Sequence, residues 1–154
     1  MRTLMAEAFT EVDMTRLRRA VAEKAEQAGL HGSRRDDFVL AVHESVVNVV
    51  EHAGGRGFLK LWTVNGVICS ETTDHGAGIP EAYVREDRTP SERADYGRGI
   101  FLIRHLCDEA DFRTGPGGTT VRLTMRLPRR RVRGGMRGIR VSAPGSRLLG
   151  RFST

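Results

Sequence analysis

Apolar residues recur along this chain with two different periods, and the switches between them divide it into elements. Leu4 to Phe9 alternates weakly, which predicts an edge strand, with Thr10 or Asp13 capping the helix that follows. Leu17, Val21 and Ala25 then recur at helical spacing between charged residues, and the pattern stops near Gly29. Ser33 is read as the cap of a second helix that ends at Gly54-Gly55. At about 100° per residue, Phe38, Val42, Ser45, Val46, Val49 and Ala53 cluster on one side of that helix, while Glu44, Asn48 and Glu51 fall opposite. The period then drops to two. Phe58 to Val64 and Val67 to Thr73 are β-type runs joined by Asn65-Gly66, a strong short-range hairpin signal.

Asp74 to Pro80 is a glycine-bearing loop, and residues 81–97 are polar, charged and poor in apolar periodicity, which suggests a lid. Ile100, Leu102, Ile103 and Leu106 mark a helix opened by Gly97-Arg98-Gly99. A strand around Ala110 to Thr114, a Gly115-Pro116-Gly117-Gly118 turn and a strand from Thr119 to Leu127 complete the ordered pattern. In the last of these Val121, Leu123, Met125 and Leu127 alternate with Arg122, Thr124 and Arg126, so one face is buried and one is wet. The order predicts an α+β fold: a two-layer sandwich whose mixed, mostly antiparallel sheet is covered on one face by helices.

Length and composition narrow the class. At 154 residues the chain is expected to form one domain with a single core. No apolar run approaches the roughly 20 residues of a membrane span, and the N-terminus shows no signal-peptide pattern, so a cytoplasmic protein is expected. Cys69 and Cys107 are the only cysteines and have no metal-ligand or C-x-x-C spacing. The net charge of +6 invites a nucleic-acid partner, but its distribution argues against one. Residues 129–154 hold eight arginines and no acid, which leaves 17 basic against 19 acidic residues in positions 1–128, a net of −2. Nucleic acid is therefore expected, if anywhere, only at the basic tail. Positions 1–127 read as the domain and 128–154 as a disordered Arg-rich extension.

Four short patterns carry chemistry. Glu44 and Asn48 stand one helical turn apart; a carboxylate can take a proton from a nucleophile, and a neutral amide oxygen can ligate Mg²⁺ without titrating. Asp74-His75-Gly76-Ala77-Gly78-Ile79 follows a strand, where an Asp can accept a hydrogen bond from an exocyclic amine and glycines let backbone approach a flat ring. Gly97-Arg98-Gly99 opens a helix whose free amides and dipole favour an anion. Gly118-Thr119-Thr120 enters a strand, where a hydroxyl can bond a base or its bridging water. Each alone has an ordinary explanation as a solvated helix face or a turn. His52 is read as a partner of the helix C-terminus, and neither a P-loop nor a dinucleotide-binding glycine fingerprint is present.

Taken in order, Glu-x3-Asn, Asp-x-Gly-x-Gly-Ile, a lid, Gly-x-Gly-Ile and Gly-Thr resemble the boxes of the Bergerat-fold (GHKL) ATPases over residues 5–127. The context Ala41-Val42-His43-Glu44-Ser45-Val46-Val47-Asn48 is most similar to the bacterial anti-sigma-factor serine/threonine kinases. The resemblance implies bound ATP and Mg²⁺, with Asn48 as the metal ligand and Asp74 at the adenine amine. Gly76, Gly78 and Ile79 would line the nucleotide, Gly97, Arg98, Gly99 and Ile100 would lie at the phosphates, and Gly118, Thr119 and Thr120 near the base. Glu44 would be the general base for a partner's serine. It also implies a sigma factor and an anti-anti-sigma (STAS-type) protein as partners, and a homodimer. The alternative is a nucleotide-dependent binding module without catalysis. Two departures from the family pattern are the Ile after Gly-x-Gly and the Arg-rich tail.

Overall fold

The computed structural model describes residues 1–80, 84 and 97–129. Most of the expected lid at 81–97 and nearly all of the Arg-rich extension at 128–154 therefore lie outside the described residues. The elements are β1 (Arg2–Thr10), a 3-10 turn (Glu11–Asp13), α1 (Met14–Gln27), α2 (Gly32–His52), β2 (Arg56–Val64), β3 (Val67–Asp74), α3 (Gly97–Leu106), β4 (Glu109–Gly115) and β5 (Gly118–Arg126). Their order and nearly all their boundaries follow the periodicities above.

The strands form one sheet in the order β1-β2-β3-β5-β4. Among the described residues all four pairings are antiparallel, with no parallel pair to make the sheet mixed. Asn65 (φ 46°) and Gly66 (φ 79°) both adopt the left-handed conformation that a two-residue hairpin turn demands, which pairs Val64 with Val67. Alternation then sends Leu59 and Leu61 of β2, Ile68, Ser70, Thr72 and Asp74 of β3, and Thr119, Val121, Leu123 and Met125 of β5 into the layer beneath the helices. Leu17, Val21 and Ala25 of α1 close that layer as expected. The other sheet face carries Trp62, shielded to 8% exposure, with the Lys60 ammonium 5.3 Å and the Arg122 guanidinium 5.6 Å from its ring.

Helix ends explain how the layers meet. Past α1, Leu30 N–H bonds to Ala25 O and Gly29 N–H to Glu26 O, both at 3.0 Å, with Gly29 at φ 109°. That paired closure, with Leu30 fully buried, turns the chain directly into α2. The expected cap at Ser33 is not made: α2 begins a residue earlier at Gly32, and its N-cap residue His31 makes no side-chain cap hydrogen bond. Asp13 likewise does not cap α1; its carboxylate accepts from Thr10 N–H at 2.9 Å and so closes the 3-10 turn.

Asp108, just past α3, ties the start of α2 to the sheet. It accepts from both arms of Arg34 (2.7 and 3.4 Å) and from Arg126 N–H (2.7 Å), while Arg34 also donates to Arg126 O at 2.9 Å. Partial burial disfavours the Asp108 carboxylate, but the Arg34 and Arg126 hydrogen bonds outweigh it and hold its pKa below that of an ordinary aspartate. A carboxyl depressed in the folded state stabilises fully above its unfolded pKa and loses that contribution as pH falls through the folded value. Asp108→Asn is therefore expected to lower the melting temperature at pH 7 and to flatten its decline below about pH 4. Thermal melts between pH 2 and 7 test this; an unchanged acid limb would remove Asp108 from the acid-sensitive groups.

Candidate functional site

Helix α2 is packed against the sheet, α1 and α3, and this changes the geometry expected of its polar residues. Asn48 does not share an open face with Glu44 and Glu51. It is 8% exposed, whereas Glu44 is partly exposed and Glu51 open to solvent. The reason is Gly99: a β-carbon there would stand 3.3 Å from Asn48 Oδ1, so α3 approaches α2 at the Asn48 amide. Among the described residues the buried Asn48 Nδ2 has no hydrogen-bond partner. A half-turn of the amide presents either its oxygen or its amine to the same point, so one polar atom of Asn48 awaits a ligand. That orphaned atom fits a role in holding a hard cation, to which an amide oxygen is suited. Among the described residues no cluster of three His, Cys, Asp or Glu side chains could hold a metal by itself.

Asp74 ends β3 on its inward face and is 7% exposed. Its Oδ1 accepts from Gly76 N–H at 2.8 Å and from Thr119 N–H at 3.2 Å, which locks the carboxylate between the loop and β5. Among the described residues Oδ2 receives no donor. One step earlier on β3, Thr72 Oγ1 lies 2.8 Å from Ser45 Oγ, which also donates to Val42 O at 2.6 Å. This buried hydroxyl pair pins α2 over β3 beside Asp74.

The loop after Asp74 folds against three elements. A β-carbon at Gly76 would stand 2.8 Å from Ala53 at the end of α2, so only glycine lets the loop touch that helix. Gly78 has φ 90° and lies over the Gly115 carbonyl and Thr114 Oγ1. Gly118, in turn, packs its Cα over the Asp74 carbonyl. Asn48, His52, Asp74, Ile79, Thr119 and Val121 thereby surround a narrow cleft.

Several expected residues meet at this cleft and others do not. Gly76 shapes the loop from α2's side, and Ile79 is buried at 8% exposure. Thr119 (4% exposed) lies on the cleft, whereas Thr120, one residue on, lies on the opposite face of β5 and is not brought there. Ile100 is buried in α3 at 2% exposure; Gly97 and Arg98 open that helix, and the Arg98 side chain lies outside the described residues. Glu44, one turn before Asn48, makes no hydrogen bond or ion pair among the described residues. His52 occupies the last turn of α2, as expected of a helix-end partner, but also lines the cleft. His75 and Glu51 are exposed.

Two features escaped the sequence. Thr114 of β4 accepts from Ile79 N–H at 2.6 Å and lies 2.9 Å from Thr119 Oγ1. The Ser45–Thr72 pair is the other, because its partners are 27 residues apart and ordinary in composition. Outside the cleft, burial holds the His43 imidazole below its usual pKa, Arg18 adds to that effect and Glu44 opposes it. Burial, with Asp108 beside it, pushes the Cys107 thiol up to about 12, which leaves it unreactive.

A family model for the histidine kinase-like ATPase domain matches residues 7–125. Among solved structures, the RsbU and RsbW domains of a Mycobacterium tuberculosis protein align with TM-score 0.59 at 24% identity, over 83% of this chain and 34% of theirs. The histidine kinase domain of a blue-light activated kinase from Erythrobacter litoralis aligns with TM-score 0.51 at 23% identity, over 62% and 48%. The nucleotide-free catalytic domain of histidine kinase ThkA aligns with TM-score 0.50 at 13% identity, over 81% and 99%. This chain thus spans less than half the length of the first two, and the likeness to all three is one of fold.

Proposed function

The chain belongs to the histidine kinase-like ATPase domain family, and from that premise we propose that it is an ATP-binding serine/threonine protein kinase of anti-sigma-factor type. On this proposal it phosphorylates an anti-anti-sigma protein of the STAS type and sequesters a sigma factor. The observation that carries the nucleotide part is the cleft floor. There Asp74 is fixed through Oδ1 with Oδ2 left open, beside the Thr119 hydroxyl and the Asn48 amide, whose Nδ2 has no partner among the described residues.

Asp74 then takes the exocyclic amine of adenine, and Gly76, Gly78, Ile79, Gly118 and Thr119 enclose the base. Asn48 would hold Mg²⁺, the amides of Gly97, Gly99 and Ile100 at the start of α3 would take the phosphates, and Arg98 would add a cation to them. Bound Mg²⁺ neutralises charge on the phosphates; the protein's share of phosphoryl transfer is positioning and an oriented nucleophile. Glu44 accepts the proton of the partner's serine hydroxyl as that oxygen bonds the γ-phosphorus and the bond to the ADP oxygen breaks. Glu44 supports a kinase over a binding-only module, since nothing in the packing of α2 requires a carboxylate there. The order of the four patterns and the Ala41–Asn48 context support the anti-sigma type.

Incubating the chain with γ-labelled ATP, Mg²⁺ and a STAS-domain protein tests the proposal. The expected product is acid-stable phosphoserine or phosphothreonine on the STAS protein. Label that is lost in acid, as from a phosphohistidine, or no transfer at all, overturns it.

A further inference from the structure

The hydroxyl of Thr114 stands outside every motif above, yet it joins both parts of the cleft that face a base. Thr114 is the penultimate residue of the edge strand β4 and pairs with Thr119 across the β4–β5 hairpin. Its Oγ1 accepts from Ile79 N–H at 2.6 Å, lies 2.9 Å from Thr119 Oγ1, and is 3.5 Å from Ile79 O. One atom therefore holds the loop that follows Asp74 and touches the hydroxyl that stands beside it.

A hydroxyl has one proton and two lone pairs. The Ile79 amide occupies one lone pair of Thr114, so the proton has two destinations: Ile79 O at 3.5 Å, or Thr119 Oγ1 at 2.9 Å. Hydrogen-bond strength falls steeply with distance, and the shorter contact takes it. Thr119 then accepts from Thr114, and its own proton is left for the cleft. Were the proton on Ile79 O instead, Thr119 would donate to Thr114 and offer the cleft only lone pairs. The Ile79 amide and the two distances thus set the polarity of a neighbouring side chain.

We propose that Thr114 is a positioning residue for nucleotide selectivity: it orients Thr119 as a donor beside the Asp74 acceptor and seats Ile79 against the base. The proposal rests on the ATP-binding reading of the cleft. A donor next to an acceptor complements an edge that offers a ring nitrogen beside an amine, as adenine does. It opposes an edge that offers N–H beside a carbonyl, as guanine does. Thr119 presents its proton, Asp74 presents Oδ2, and Thr114 keeps the pair in that sense without touching the base itself.

The test is calorimetric titration of the full chain with ATP and with GTP, each with Mg²⁺. Thr114→Val keeps the side-chain shape and removes both the acceptor for Ile79 and the donor to Thr119. It is expected to weaken ATP binding by about tenfold, the scale of one lost hydrogen bond, and to narrow the ATP-to-GTP ratio by a similar factor. Thr114→Ser, which keeps the hydroxyl, is expected to restore both. In a Thr119→Val background, Thr114→Val is expected to leave the ratio unmoved. Equal loss for both nucleotides, an unchanged ratio, or failure of the serine variant to restore it overturns the proposal. Where the valine variant does not fold, Thr114→Ala is read in its place by the same ratio. Wild-type protein that binds neither nucleotide overturns the parent reading of the cleft, a result distinct from binding without selectivity.

Discussion

Glu44→Gln is expected to bind ATP within about twofold of wild type and to phosphorylate its partner roughly 10²–10⁴-fold more slowly, the range for loss of a general base. The two effects separate because of where Glu44 stands. Its carboxylate is partly exposed and has no hydrogen-bond partner among the described residues, so the amide strands no buried donor or charge. Nor does Glu44 touch the cleft floor, which is built from Asp74, Ile79 and Thr119 with Asn48 at its side. Calorimetric titration gives the affinity, and single-turnover transfer from labelled ATP gives the rate. Transfer at the wild-type rate would remove Glu44 as the base and leave the nucleotide site standing. His43 offers no replacement: burial and the Arg18 guanidinium depress its pKa, yet it faces the α1–α2 seam with Met14, Leu17 and Val21.

How much of this site could be read from the chain depended on whether a pattern was local. Asn65-Gly66 specifies its own turn, and the Gly29 closure of α1 needs only residues 25 to 30, so both were legible in order and spacing. Asn48 was expected on an open polar face, and the structure buries it instead. A period of 3.6 reports one buried face, whereas α2 is also covered at Asn48 by α3, which Gly99, some fifty residues downstream, lets approach. Thr119 and Thr120 could have been separated, since the parity that buries Val121, Leu123 and Met125 also turns Thr119 inward. Thr114 had no such signal. Its value comes from a partner 35 residues away in a loop, through a contact that no periodicity encodes.

Asp74 gives the sharpest division between holding the fold and holding a ligand, because its two oxygens have different duties. Oδ1 accepts from the Gly76 and Thr119 amides, and Oδ2 is left to the cleft. Asp74→Asn can keep its oxygen on the two amides, which places –NH₂ where Oδ2 was. A donor then meets the exocyclic amine of adenine, also a donor, and ATP affinity is expected to fall by at least 10²-fold; a missing partner for a buried polar group discriminates on that scale or beyond. The melting temperature of the unliganded protein is expected to stay close to wild type. Asp74→Ala removes both duties. It orphans the two amides, at about 1–3 kcal/mol for each that stays buried, so it should lower stability before any nucleotide is added. Paired melts and titrations of the two variants decide the matter. If Asp74→Asn bound ATP as tightly as wild type, the carboxylate would be a loop clamp alone, and the adenine contact would have to be sought elsewhere on the cleft. If Asp74→Ala were as stable as wild type, the two amides would have found other acceptors, and the loop would owe its shape to Gly78 and Thr114 instead.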